Sequence, residues 1–252
     1  MRRNRGRSRR PVKYAATSAE PTKVSGVWSA NEVYNARLDD TWPVKTPPVP
    51  GMYAWYTGGT WDGFQWTDIS GNNRHATTIV GTINQNLSYT GNGADATFPV
   101  IYGGTTAGIT FPSSVLPSTF TFFHVTRYNG ATEKRIFDGA TANWLSGFWG
   151  GNAGATYHDG WMTGQVDYHT TNWVISTDQN SLYRSKSKSA NSGNYYQHTG
   201  GGGTTKQLTV NNGYYTGERS DWMIAEIIVY NSTLSATDYN KVESYLEDKY
   251  GI

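Results

Sequence analysis

Trp222-Met-Ile-Ala-Glu-Ile-Ile-Val-Tyr230 runs through Asn-Ser-Thr into Leu234-Ser-Ala-Thr-Asp238, and the change of period between the two stretches decides the fold class. The first is almost continuously apolar and rich in β-branched residues. Such a run suits a strand that lies centrally in a sheet and is covered on both faces. The second opens a helix. Ser235 stands as a cap with an acid three residues on, at Asp238. Tyr239, Val242, Tyr245, Leu246 and Tyr250 then recur at spacings of three and four, giving one apolar helix face that closes at Gly251.

Upstream the pattern stays β as far back as Met52. Met52-Tyr-Ala-Trp-Tyr56, Phe120-Thr-Phe-Phe-His-Val-Thr-Arg127, Trp173-Val-Ile-Ser-Thr177 and Gln207-Leu-Thr-Val210 are rich in aromatic and β-branched residues. Turn signals lie between them at Ser70-Gly-Asn-Asn73, Asn129-Gly130, Gly150-Gly-Asn152 and Asn212-Gly213. The chain holds 10 Trp, 18 Tyr and 29 Gly in 252 residues, a composition of short strands joined by many turns. It has no cysteine, which excludes disulfides and thiol chemistry. No apolar run reaches the roughly 18 residues of a membrane span, so no membrane span is expected.

The N-terminal part differs. Arg2, Arg3, Arg5, Arg7, Arg9, Arg10 and Lys13 form a basic arm with no acid among them. The other 14 basic residues face 19 acidic ones, so the body is mildly acidic. Residues 1–23 carry too little apolar surface to fold alone and read as a disordered or extended arm. Its partner is a polyanion or an acidic protein surface: nucleic acid held through phosphate contacts, or neighbouring proteins of a shell between which the arm threads as an anchor. A passive solvated tail is the third reading. Residues 24–50 form a short attachment segment. Ser29 and Glu32 fit a capping box, which predicts a helix over 29–38, and Val-Lys-Thr-Pro-Pro-Val-Pro at 44–50 is a stiff linker. Residues 51–252 remain as one β domain.

Three segments of that domain resemble the concanavalin A-like lectin/glucanase superfamily, in its laminin-G-like branch. They are Trp66-Thr-Asp-Ile-Ser-Gly-Asn-Asn-Arg-His-Ala76, the run Phe120–Arg127, and Ala225–Ser235 leading into the last helix. The resemblance implies an all-β, antiparallel jelly-roll β-sandwich, here with a short N-terminal helix and a C-terminal helix. Gly26-Val-Trp-Ser-Ala-Asn-Glu-Val-Tyr-Asn-Ala-Arg37 with Trp42-Pro43 also resembles a module in structural proteins of marine phages and algal viruses. So does Arg135-Ile-Phe-Asp-Gly139 followed by Asn143-Trp-Leu-Ser-Gly147 and Trp161. That likeness implies a virion protein, either capsid-associated, decorating or fibre-borne, assembled as an oligomer with other virion proteins; outside a virion the chain is expected to be soluble.

The residues do not point to an enzyme. Retaining glycoside hydrolysis needs two carboxyls about 5 Å apart. The family's glucanases carry them on alternate residues of one strand. Glu226 has no acid two or four residues on, and Asp221, five residues before it, falls on the opposite face of a regular strand. No Gly-x-Ser-x-Gly elbow accompanies the histidines at 75, 124, 158, 169 and 198. His124 reads as a core or sheet residue, and His158-Asp159 as a loop pair. No cofactor is required. Asp68, Asn72 and Asn73 offer oxygens to Ca²⁺, as laminin-G-like folds often do, against the plainer reading of an Asx-type turn. Sugar binding suits the body best. Sugar rings stack on flat aromatic faces while polar tips take the hydroxyls. Trp149, Asn152, His158, Asp159 and Trp161 lie in loop-like sequence and are the candidate carbohydrate contacts, with at least one of the two tryptophans exposed. Tyr195-Tyr196 and Tyr214-Tyr215 add further rings.

Overall fold

The computed structural model describes residues 45–163, 169–190, 193–202 and 206–252. The basic arm and the helix expected over 29–38 lie outside them. Two antiparallel sheets face one another. The larger has Trp222–Tyr230 near its middle, as the apolar run predicts. Thr121–Tyr128 pairs along the whole of one edge of that strand. Beyond it come Val174–Gln179, Leu182–Lys186 and Tyr196–Thr199. The other edge is shared. Ala94–Gly103 takes Trp222 to Ile224, and Ala54–Thr57 takes Glu226 to Val229. Asn84–Gly91 completes the sheet outside Ala94–Gly103.

The second sheet is built of strands of two or three residues. Its order is Tyr157–His158, Trp144–Ser146, Phe137–Gly139, Leu208–Val210, Gly108–Thr110 and Thr78–Val80. Phe122, Ile224, Ile227 and Val229 of the large sheet form one core with Phe137, Trp144, Leu208 and Val210 of the small one. Phe122 and Phe137 meet edge to face at 5.2 Å. The result is an all-β antiparallel sandwich with a C-terminal helix. His124 lies in the interior as expected, with Thr126 Oγ1 at 3.1 Å and Ser146 Oγ at 3.3 Å from its ring nitrogens. Burial pushes its imidazole down to about 3, so it is neutral at ordinary pH.

A bulge at Ala225 organises the other face of the large sheet. Ile224 opposes Thr126 while Glu226 opposes Val125, so one residue is skipped. Alternation restarts there. Ile227 and Val229 turn into the core, and Glu226 turns towards the helix Ala236–Tyr250. Its fully buried carboxylate accepts from Trp55 Nε1 at 2.5 Å, Tyr250 Oη at 2.6 Å, Lys249 Nζ at 2.7 Å and Tyr245 Oη at 3.1 Å. The helix starts where the sequence predicts. Ser235 Oγ accepts from the Asp238 N–H at 3.2 Å, and Gly251 ends it at φ 66°. Val242, Leu246 and Tyr250 bury its apolar face.

The bulge also corrects the argument on Asp221 and Glu226, because a bulged strand does not keep regular alternation. The two are still held apart by length. Five strand residues span about 16 Å, far beyond the ~5 Å of a retaining pair.

Candidate functional site

Two tight turns place the aromatic residues singled out in the sequence. Phe148–Trp149 pairs with Asn152–Ala153 across Gly150 and Gly151, whose φ values are 56° and 84°. Two consecutive left-handed residues make the two-residue hairpin turn that glycine favours. The next turn bridges Tyr157 to Trp161, with Asp159 at φ 54° and the His158 N–H donating to the Gly160 carbonyl at 2.8 Å. Asp is one of the few side chains that tolerate this conformation.

The turns bring Trp149 and Trp161 together, ring centroids 5.2 Å apart at 66°. Tyr157 also packs edge to face on Trp161, at 5.4 Å and 81°. Trp161 is 38% exposed, and Trp149 is half-buried. Trp149 Nε1 donates to Glu218 Oε2 at 3.2 Å. Asp159 stands in solvent beside the rings and accepts from Lys206 Nζ at 3.1 Å. The exposed indole surface therefore has one carboxylate bonded to Trp149 and a second, that of Asp159, on the turn that carries Trp161, held from below by the buried Lys206.

Asn152 and His158 lie beneath that face, 4% and 2% exposed. This is a correction to their reading as direct contacts. Asn152 Nδ2 donates to the Gly150 carbonyl at 3.2 Å and holds the hairpin turn. His158 stacks on Trp144 at 5.3 Å and 15°, and its Nε2 lies 3.2 Å from the Asp178 carboxylate. Burial pushes the imidazole down, but the Asp178 carboxylate, together with the Asn180 carbonyl and Asp159, more than offsets this and leaves its pKa raised. The pair supports the hairpin that carries Trp161.

The residues proposed for Ca²⁺ also take other roles. Asp68 is buried. Its Oδ1 accepts from the N–H groups of Trp55 and Ser70, both at 2.9 Å. Its Oδ2 accepts from the Arg74 N–H at 2.9 Å and Ser70 Oγ at 3.0 Å. Asn72 Nδ2 donates to the carbonyls of Met52 and Tyr53 at 2.9 and 3.2 Å, and Asn73 takes φ 55°. A hard cation needs converging oxygens, whereas Asp68 is surrounded by donors. The arrangement fits the Asx-type turn and does not fit Ca²⁺. Among the described residues, no group of three or more His, Cys, Asp or Glu could hold a metal ion.

Sequence reasoning missed Glu218 and Lys206. Glu218 lies 69 residues from Trp149 in a 3-10 turn, and nothing local in the sequence marks it. It also bonds Arg135, a buried guanidinium that reaches Asn143 Oδ1 at 2.8 Å and Asp138 at 3.4 Å. Burial pushes Asp138 up to about 6, against the opposing effect of Arg135.

No protein-family model matches the chain, and no curated protein matches it. Several solved structures are similar to it. Domain 4 of an extracellular GH43 arabinanase from Geobacillus stearothermophilus, in complex with arabinotriose, is 14% identical with a TM-score of 0.49, over 76% of this chain and 98% of that one. The binding domain of botulinum neurotoxin serotype D is 11% identical with a TM-score of 0.49, over 78% and 51%. Trypanosoma rangeli sialidase in complex with sialic acid is 11% identical with a TM-score of 0.45, over 86% and 38%. Among the described residues, no helix is long and apolar enough to cross a membrane.

Proposed function

We propose that the sandwich is a non-enzymatic carbohydrate-binding domain whose contact surface is the Trp149–Trp161 pair with Tyr157, Asp159 and Glu218. The exposure of Trp161 carries the reading. A large indole is held in solvent by packing against two other rings, beside carboxylates that accept hydroxyl protons. The interior carboxylates favour a non-enzymatic role. Glu226, Glu243, Asp178 and Asp68 are each buried and bonded to internal partners. The test is a glycan array with the full chain. Binding that is lost in Trp161→Ala at an unchanged melting temperature supports the reading, and silence across the array sinks it.

The finer part of the proposal is that the domain serves as a structural component of a virus particle, oligomeric with other virion proteins and anchored by its basic arm. It rests on the resemblance carried by Gly26–Arg37 and Arg135–Gly147. Mass spectrometry of purified particles tests it, and absence of the chain would overturn it. Titration with duplex DNA across a salt series separates the two roles of the arm. No binding at low salt removes the nucleic-acid role, leaving anchoring or a passive tail.

A further inference from the structure

A second pair of exposed rings continues the same surface. Tyr214 and Tyr215 are 54% and 40% exposed and meet edge to face at 4.9 Å. Their loop is held in place. The Tyr214 N–H donates to the Gly139 carbonyl at 2.9 Å, the Glu218 N–H to the Tyr215 carbonyl at 3.0 Å, and Lys134 Nζ to the Gly217 carbonyl at 2.8 Å. The Arg135 N–H adds a bond to the Glu218 carbonyl at 2.9 Å. A loop backbone fixed this way loses little freedom on binding.

Glu218 joins the two ring pairs. Its Oε2 accepts from Trp149 Nε1 at 3.2 Å and from Arg135, whose guanidinium lies 4.5 Å from the Tyr215 ring centroid. The surface thus runs from Trp161 and Trp149, across a half-exposed carboxylate, to Tyr215 and Tyr214. The fold alone explains neither end, since rings this exposed add little to the core.

We infer that this surface binds a linear oligosaccharide lengthwise, with separate sugar rings against the Trp149–Trp161 pair and the Tyr214–Tyr215 pair and a hydroxyl donating to Glu218 between them. This rests on the reading of Trp149–Trp161 as a carbohydrate site. An open surface with two stacking ends recognises an internal stretch of a chain. A mono- or disaccharide fills one end only.

The experiment is calorimetric titration of the full chain with cello-, xylo-, arabino- and laminari-oligosaccharides, from mono- to hexasaccharide. In the series that binds, affinity should keep rising beyond the disaccharide. Tyr214→Ala with Tyr215→Ala should weaken the longest ligand about tenfold, the loss of roughly one stacking contact, and leave the disaccharide unchanged. Trp161→Ala should weaken both. Tyr214→Ala alone, at the more exposed ring, serves if the double variant does not fold. Tyr215→Phe, which keeps the ring, should bind as the parent does. A plateau at the disaccharide, or a tyrosine variant that binds the hexasaccharide normally, overturns the lengthwise site and leaves the Trp149–Trp161 reading standing. No binding in any series, after a silent array, overturns both.

Discussion

Glu226→Gln tests the account of the helix-covered sheet face most directly. The parent carboxylate is fully buried and accepts from an indole N–H, two phenols and the Lys249 ammonium, at 2.5 to 3.1 Å. Glutamine keeps the shape but removes the charge. It also turns an NH₂ donor towards groups that are donors themselves. Breaking a buried ion pair typically costs about 3–5 kcal/mol, and the 22% exposure of the Lys249 side chain puts this pair at the lower end. A domain of this kind has about 5–15 kcal/mol in total. Urea slopes of about 1–3 kcal/mol/M then predict a midpoint at least about 1 M below the parent's. Tryptophan fluorescence reads the transition, since Trp55, Trp66, Trp144, Trp173 and Trp222 are fully buried. Lys249→Met supplies the cycle. If charge pairing is responsible, the double variant loses less than the sum of the singles by about 1 kcal/mol or more. An unchanged midpoint for Glu226→Gln, or strict additivity with Lys249→Met, would show that charge pairing at Glu226 does not hold the helix to the sheet.

His124 should govern the acid limb of stability. Its folded pKa of about 3 lies below the ordinary 6.5, so the unfolded chain binds the extra proton. Stability is fully present above pH 6.5 and falls as the pH drops towards 3, by roughly 5 kcal/mol from this group. Denaturant midpoints measured across that range should lose most of this slope in His124→Gln. Asp138 acts in the opposite sense. Its folded pKa of about 6 exceeds the ordinary 3.8, so its contribution is present below pH 3.8 and lost as the pH rises through 6. Asp138→Asn should therefore steepen the net loss of stability between pH 6 and 4. Leu246→Ala, on the buried helix face, should cost about 2–5 kcal/mol by chemical denaturation. Ser235→Ala removes only the helix cap and should cost about 1 kcal/mol.

The parts of the fold visible in the sequence are those where local chemistry and tertiary context agree. Trp222–Tyr230 is apolar but for Glu226 because both its faces are covered. Ser235 and Gly251 mark the helix ends because caps are local devices. Gly150-Gly151 and Asp159-Gly160 position the two tryptophans for the same reason. What stayed hidden depends on distant partners. The strand Val174–Gln179 extends past Thr177 into Asp178 and Gln179, polar residues that sit in the interior only because His158 and Thr121 meet them. Asn84–Gly91 and Ala94–Gly103 escape a strand reading because one is polar and exposed and the other contains Pro99. Pairing there is already irregular, which is where a sheet tolerates proline. The bulge at Ala225 has no glycine to mark it, yet it alone decides that Glu226 faces the helix and not the core.

The candidate site divides along the same line. Its rings were legible because flat aromatics beside Gly and Asn stand out in any loop. Depth was not legible: within single turns, Asn152 and His158 face inward while Trp161 faces out. Nor was the link through Glu218, which exists only because residues 213–219 fold back over the small sheet, bonded to Gly139 and Arg135. The proposed binding surface, assembled from loops that distant in sequence, takes its rings from composition and their spacing from the sheet beneath.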